Sequence, residues 1–174
     1  HLLGYKTAFP VGDGYLYHHG EAAYTYPYMY LRDYVDFRVL RRQFKIDHGF
    51  THFTQFLGHP HGGNTLSFWG NLGYTNIADY NVQAYFEYVL NGAIGEQRDI
   101  DIDMDEDGFK TDLGPAPTGT VEHIMNIGAA GEMQVTSNLS AHLQVDVFRV
   151  VNKGHISSSP AWDIQAAAGV TASW

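Results

Sequence analysis

The stretch "DIDMDEDGFKTD", Asp101 to Asp112, is the part of this chain most explicitly equipped for chemistry. Asp103, Asp105 and Asp107 alternate and Gly108 follows, so three carboxylates converge where the backbone turns sharply, the opening pattern of a Ca²⁺-binding loop. A twelve-residue calcium loop closes on a bidentate glutamate, but the twelfth position from Asp103 is Gly114. The expected site is therefore a shorter loop with Asp112 as its late ligand. Ca²⁺ is the cofactor this loop suggests. The competing reading is a solvated acidic surface loop that binds nothing.

That loop is similar to the short acidic loops of thrombospondin type 3 repeats. A second group of residues lies in "DHGFTHFTQFLGHPHGG", where His52 and Thr54 share one face of an extended segment. A histidine base two positions from a hydroxyl resembles the His-x-Ser arrangement of outer-membrane lipid A deacylases, and that resemblance implies a lipid-modifying enzyme. Acyl transfer also needs an acid to orient the histidine and donors for the oxyanion, and neither is evident in the sequence. The expectation is accordingly no acyl hydrolase. His59 and His61 flank Pro60 and, with His155, have the residue types of a transition-metal site, although loop histidines are more often simply exposed.

The elements that position these groups read as strands. In "AWDIQAAAGVTASW" the parity Trp162, Ile164, Ala166, Ala168, Val170, Ala172, Trp174 is apolar throughout, whereas the other holds Asp163, Gln165, Gly169, Thr171 and Ser173. "LSAHLQVDV", "VEHIMNIGAAGEMQVT", "YNVQAYFEYVLN" and "NTLSFWGNLGYT" alternate in the same way. Upstream, "FKIDHGFTHFTQF", "MYLRDYVDFRVL" and "GEAAYTYPY" bring the expected total to about eight. Residues 1–13 form an N-terminal segment without a sustained period. "TNIAD" and "TSN" are short connections, while "GHPHGG", residues 93–119 and "NKGHISSSP" are long and alternate with them, so all long loops fall at one end.

With 174 residues, no run of 18 apolar residues and no cysteine, the chain is expected to be a single β domain without a spanning helix or disulfides. Its 12 Tyr, 10 Phe and 19 Gly favour strands and turns. The net charge is −9, but eight of 19 acids and two of 10 bases lie between Glu96 and Asp112; outside that stretch 11 acids face 8 bases. No basic stripe exists, which argues against a nucleic-acid partner.

The ending, with Trp174 last, apolar residues at alternate positions and Gly169 five residues earlier, resembles the terminal strand of Gram-negative outer-membrane β-barrels. The resemblance implies an antiparallel transmembrane barrel of about eight strands, with short periplasmic turns and long extracellular loops. It also implies biogenesis through the barrel-assembly machinery, and outer-membrane lipid and lipopolysaccharide as surroundings. Geometry agrees: from Trp162 to Trp174 a strand tilted by ~40° rises roughly 30 Å, enough to set an aromatic at each membrane interface. In such a barrel Arg32, Asp36, Arg38, Lys45, Asp47, Glu87, Glu132 and Asp146 point into the lumen, expected as an ion-pair network plugging a narrow interior. The expected function is a membrane scaffold or surface-binding protein acting through its outer loops. The alternatives are the lipid-modifying enzyme and a portion of a larger barrel, such as a porin or autotransporter translocator. A soluble barrel or sandwich, with the apolar parity turned inward, is the remaining reading.

Overall fold

Alternation of apolar and polar residues yields long antiparallel strands here. The structure, a computed structural model, describes residues 1–26, 31–32, 35–36, 39–45, 49–55, 61–76, 79–93 and 116–172, with the backbone alone for the segments between 31 and 55. Its strands are β1 (Leu2–Val11), β2 (Gly14–Thr25), β3 (Leu31–Arg32), β4 (Val35–Asp36), β5 (Val39–Lys45), β6 (Gly49–Gln55), β7 (Thr65–Asn76), β8 (Tyr80–Asn91), β9 (Glu122–Thr136), β10 (Leu139–Val151) and β11 (Ala161–Ala172). Seven of them form one sheet in the order β1-β2-β7-β8-β9-β10-β11, and all six pairings are antiparallel.

Two expectations are corrected. The sheet is open, with β1 and β11 as its edges, and is not a closed barrel of about eight strands. Among the described residues, the upstream segments "MYLRDYVDFRVL" and "FKIDHGFTHFTQF" do not join it: β2 pairs directly with β7, and β3–β4 and β5–β6 are separate two-stranded ribbons. The place beside β2 is taken by β1, from the N-terminal segment whose period was too weak to assign. Leu3, Tyr5, Phe9 and Val11 do alternate, but Thr7 and Pro10 blur the pattern.

The register carries side-chain parity across the whole sheet. One middle row runs Lys6, His19, Asn71, Tyr85, Gly128, Asp146, Gln165; the row beside it on the other face runs Tyr5, Gly20, Gly70, Phe86, Ile127, Val147, Ile164. The sheet thus has one polar and one apolar face, and a one-residue slip in any strand would exchange them. Large side chains fit by facing glycines across the strand pair: Tyr17 opposes Gly73, Tyr85 opposes Gly128, and each ring fills the space a Cβ would take.

The burial pattern inverts that of a water-soluble domain. Among described residues the buried set is mostly polar, Thr25, Asn64, Thr65, Ser67 and Asp146 beside Ala23, Val89 and Ala116. The apolar face is uncovered: Leu3, Leu72, Leu143, Trp162, Ile164 and Val170 are each more than half exposed. Exposed apolar side chains run across this face from β1 to β11, whereas soluble monomers rarely expose contiguous apolar patches larger than a few hundred Å².

Candidate functional site

Connection lengths gather the chain's irregular segments at one rim. β1–β2 and β9–β10 are joined by two-residue turns at 12–13 and 137–138, and only three residues separate β7 from β8, whereas residues 26–64, 92–121 and 152–160, the three long connections in the sequence, leave and re-enter the sheet at the opposite end. Short and long alternate along an antiparallel meander, so geometry places all long connections together.

At that rim Asn64 clasps two of them. "GGN" brings the chain out of the first long connection, and Asn64 takes a left-handed backbone (φ 58°) that asparagine tolerates better than most residues. Fully buried, its N–H donates to Tyr26 O (2.9 Å), its Nδ2 donates to Thr118 Oγ1 (3.1 Å), and its Oδ1 accepts from the Thr118 N–H (3.0 Å). Gly92 N–H donates to Asn64 O (2.9 Å) and Ala116 N–H to Tyr24 Oη (3.0 Å). Beneath, the Thr25 and Thr65 hydroxyls lie 2.7 Å apart, each within 2.9 Å of Gly62 O. The third connection joins the same hub: Asn152 Nδ2 donates to Val121 O (2.9 Å), Gly154 N–H donates to Glu122 Oε1 (3.0 Å), and His155 Nδ1 lies 3.0 Å from Thr120 O. Three loop bases are thereby held as one unit.

The polar face carries a second constellation at mid-sheet. Asp146, 7 % exposed, accepts from Tyr85 Oη (2.6 Å), Asn126 Nδ2 (3.2 Å) and Gln144 Nε2 (2.7 Å). Its carboxylate is thus held by uncharged donors, which satisfies most of its acceptor sites. His61 Nε2 and Glu87 Oε1 lie 2.9 Å apart on the same side of the sheet.

No family model matches the chain, and no curated protein or solved structure matches it.

The residues singled out in the sequence are dispersed. Asp103, Asp105, Asp107, Asp112, Arg38, Asp47, His59 and Trp174 lie outside the described residues. His52 and Thr54 fall on β6, paired by register with Arg42 and Leu40 of β5, away from the large sheet's ladder. Of the lumen set, Glu87, Glu132 and Asp146 share the polar face, whereas Arg32 is on β3, Asp36 on β4 and Lys45 on β5, in the ribbons. His61 and His155 are at the long-connection rim but engage Glu87 and Thr120 respectively. Trp162 stands on the apolar face at the end of β11, with the Arg149 guanidinium 5.6 Å from its ring centre.

Sequence reasoning passed over Tyr85, Asn126, Gln144, Asn64 and Thr118. Tyr85 and Gln144 had a usable signal, because both sit on the polar parity of their strands. Asn64 had a weaker one in the "GGN" turn.

Proposed function

We propose that this sheet is wall of an outer-membrane β-barrel of a Gram-negative bacterium, with the apolar face toward lipid, the polar face toward the lumen and the long connections outside the cell. The observation that carries the reading is the inversion of burial, polar residues covered and apolar residues uncovered. Lipid is the solvent that makes such a surface stable, because strands meet their backbone hydrogen bonds within the sheet and need only an apolar exterior.

The arrangement of aromatics supports it. On the apolar face Phe68, Tyr88 and Trp162 share one row toward the long connections, and Phe9, Tyr74 and Tyr80 lie in two adjacent rows toward the tight turns. From Tyr80 to Tyr88 the strand rises roughly 20 Å at a tilt of ~40°, close to the ~25 Å apolar band between the aromatic girdles of membrane barrels. The row midway between holds Leu72, Ala84, Ala129, Val145 and Ala166.

Strand parity makes the proposal sharper. Seven alternating strands leave β1 and β11 running the same way, from the long-connection rim to the tight-turn rim. An all-antiparallel barrel containing this sheet therefore includes an odd number of further strands, giving the even total of bacterial outer-membrane barrels. Direct closure would need a parallel seam and an interior narrower than the eight-stranded case, which is already filled by side chains. This favours a sheet that is part of a larger barrel. Within it the clasped connections act as a scaffold or surface-binding platform beside lipopolysaccharide. Membrane fractionation followed by electrophoresis of boiled and unboiled protein tests the reading. Sedimentation with membranes and faster migration before heating are expected; a soluble protein with no heat shift would overturn it.

A further inference from the structure

We propose that Arg149, lying over Trp162, holds the phosphate of an anionic lipid headgroup at the long-connection end of the apolar face. The inference rests on the membrane reading of that face.

Arg149 is out of keeping with its surroundings. Register places it on the apolar face, in the row Phe68, Tyr88, Met125, Arg149, Trp162. Among the described residues of the seven strands it is the only lysine, arginine, aspartate or glutamate on that face. Its guanidinium lies 5.6 Å from the Trp162 ring centre and makes no hydrogen bond or ion pair among the described residues. Asp163, next to Trp162 in sequence, is on the polar face and accepts from Gln165 Nε2 (3.0 Å). A charge without a partner is costly where apolar surroundings lower the dielectric, so the counter-charge has to come from outside the sheet.

Depth along the strands selects the kind of anion. Tyr88 Oη and His123 Nδ1 lie 2.8 Å apart in the two rows nearest the long connections. From Phe86, Ile127, Val147 and Ile164 inward, the apolar face of β8 to β11 holds no polar side chain before Tyr80. In a bilayer that boundary is the headgroup level, where lipid phosphates lie. The guanidinium fork matches two phosphate oxygens while its plane can rest on an indole. Ile127 and Ile164, one row deeper and each more than half exposed, give acyl chains a surface that a free anion cannot use. The chain's net charge of −9 disfavours a free anion further, which makes lipid the source.

The test is calorimetric titration of the protein refolded in maltoside micelles, which contain no phosphate, with a diacyl phosphatidate, a diacylglycerol of the same chains and inorganic phosphate. Saturable binding of the phosphatidate is expected, about tenfold weaker in Arg149→Gln and unchanged in Lys6→Gln, which removes the same charge from the polar face. Arg149→Lys keeps the charge but not the fork; it should bind at intermediate affinity and serves where glutamine disturbs folding. Equal affinity in the parent and both Arg149 variants, equal binding of the diacylglycerol, or equal binding of inorganic phosphate would overturn the proposal. Electrophoresis of the same preparation with and without boiling checks the membrane reading separately, so a heat-shifted protein that ignores phosphatidate refutes this inference alone.

Discussion

Asp146 and its three uncharged donors show how one carboxylate is accommodated on a crowded face. Tyr85→Phe removes the shortest of the three bonds and leaves the ring in place. A hydrogen bond to a charged group contributes about 1.5–3 kcal/mol, so the variant should lose that much stability in denaturant unfolding. An unchanged midpoint would mean that water replaces the hydroxyl. The same ring supplies a steric prediction. A Cβ at Gly128 would lie inside the Tyr85 ring, whereas one at Gly131 meets Val82 Cγ1 at 3.5 Å, an ordinary contact. Gly128→Ala should therefore cost about 1–3 kcal/mol through overpacking, and Gly131→Ala should be near neutral or slightly stabilising. Equal effects at the two positions would refute the ring-over-glycine account.

At the scale of strands, neighbouring positions on β10 separate the two solvents. Leu143 is on the apolar face and more than half exposed; Gln144 is next to it on the polar face. If lipid covers the apolar face, Leu143→Arg costs about 2–4 kcal/mol near the membrane midplane and Gln144→Arg much less. In vesicle-refolded protein the two unfolding free energies should differ accordingly, and a harmless Leu143→Arg would show that water meets that face. The connections have their own test in Asn64. Alanine there forfeits the bonds to Thr118 and keeps a left-handed backbone, a combined loss of about 2–4 kcal/mol. Limited proteolysis should then cut residues 92–121 faster than in the parent protein, with β7 to β11 still protected.

For the molecule as a whole, the acidity concentrated between Glu96 and Asp112 lies within the second long connection, held at Gly92 and Thr118 by Asn64 and at Val121 by Asn152. A loop anchored at both ends has lost part of its conformational entropy before any ion arrives, which favours binding. Calorimetric titration with Ca²⁺ should give heat that disappears when Asp103, Asp105 and Asp107 become asparagine. Silence at millimolar Ca²⁺ would leave a solvated acidic loop.

What the sequence determined by itself is the five strands from Thr65 to Ala172 and the parity of each. Strict alternation has a single backbone solution, and in β8 the polar set Asn81, Gln83, Glu87 and the apolar set Val82, Ala84, Phe86 fall on opposite faces without reference to any other segment. The alternation of tight and long connections was legible for the same local reason. Tertiary structure alone decided the partner of β2, because Thr25 can pair with the next strand or with Thr65 forty residues later, and nothing local distinguishes the two. It also decided that β1 joins the sheet: ten residues with a proline and a threonine out of phase acquire strand character from the neighbouring ladder. The Asp146 and Asn64 networks belong to this class too. Tyr85 and Asp146 lie 61 residues apart and Asn64 and Thr118 lie 54 apart, and their meeting depends on register across several strands, a property no single segment possesses.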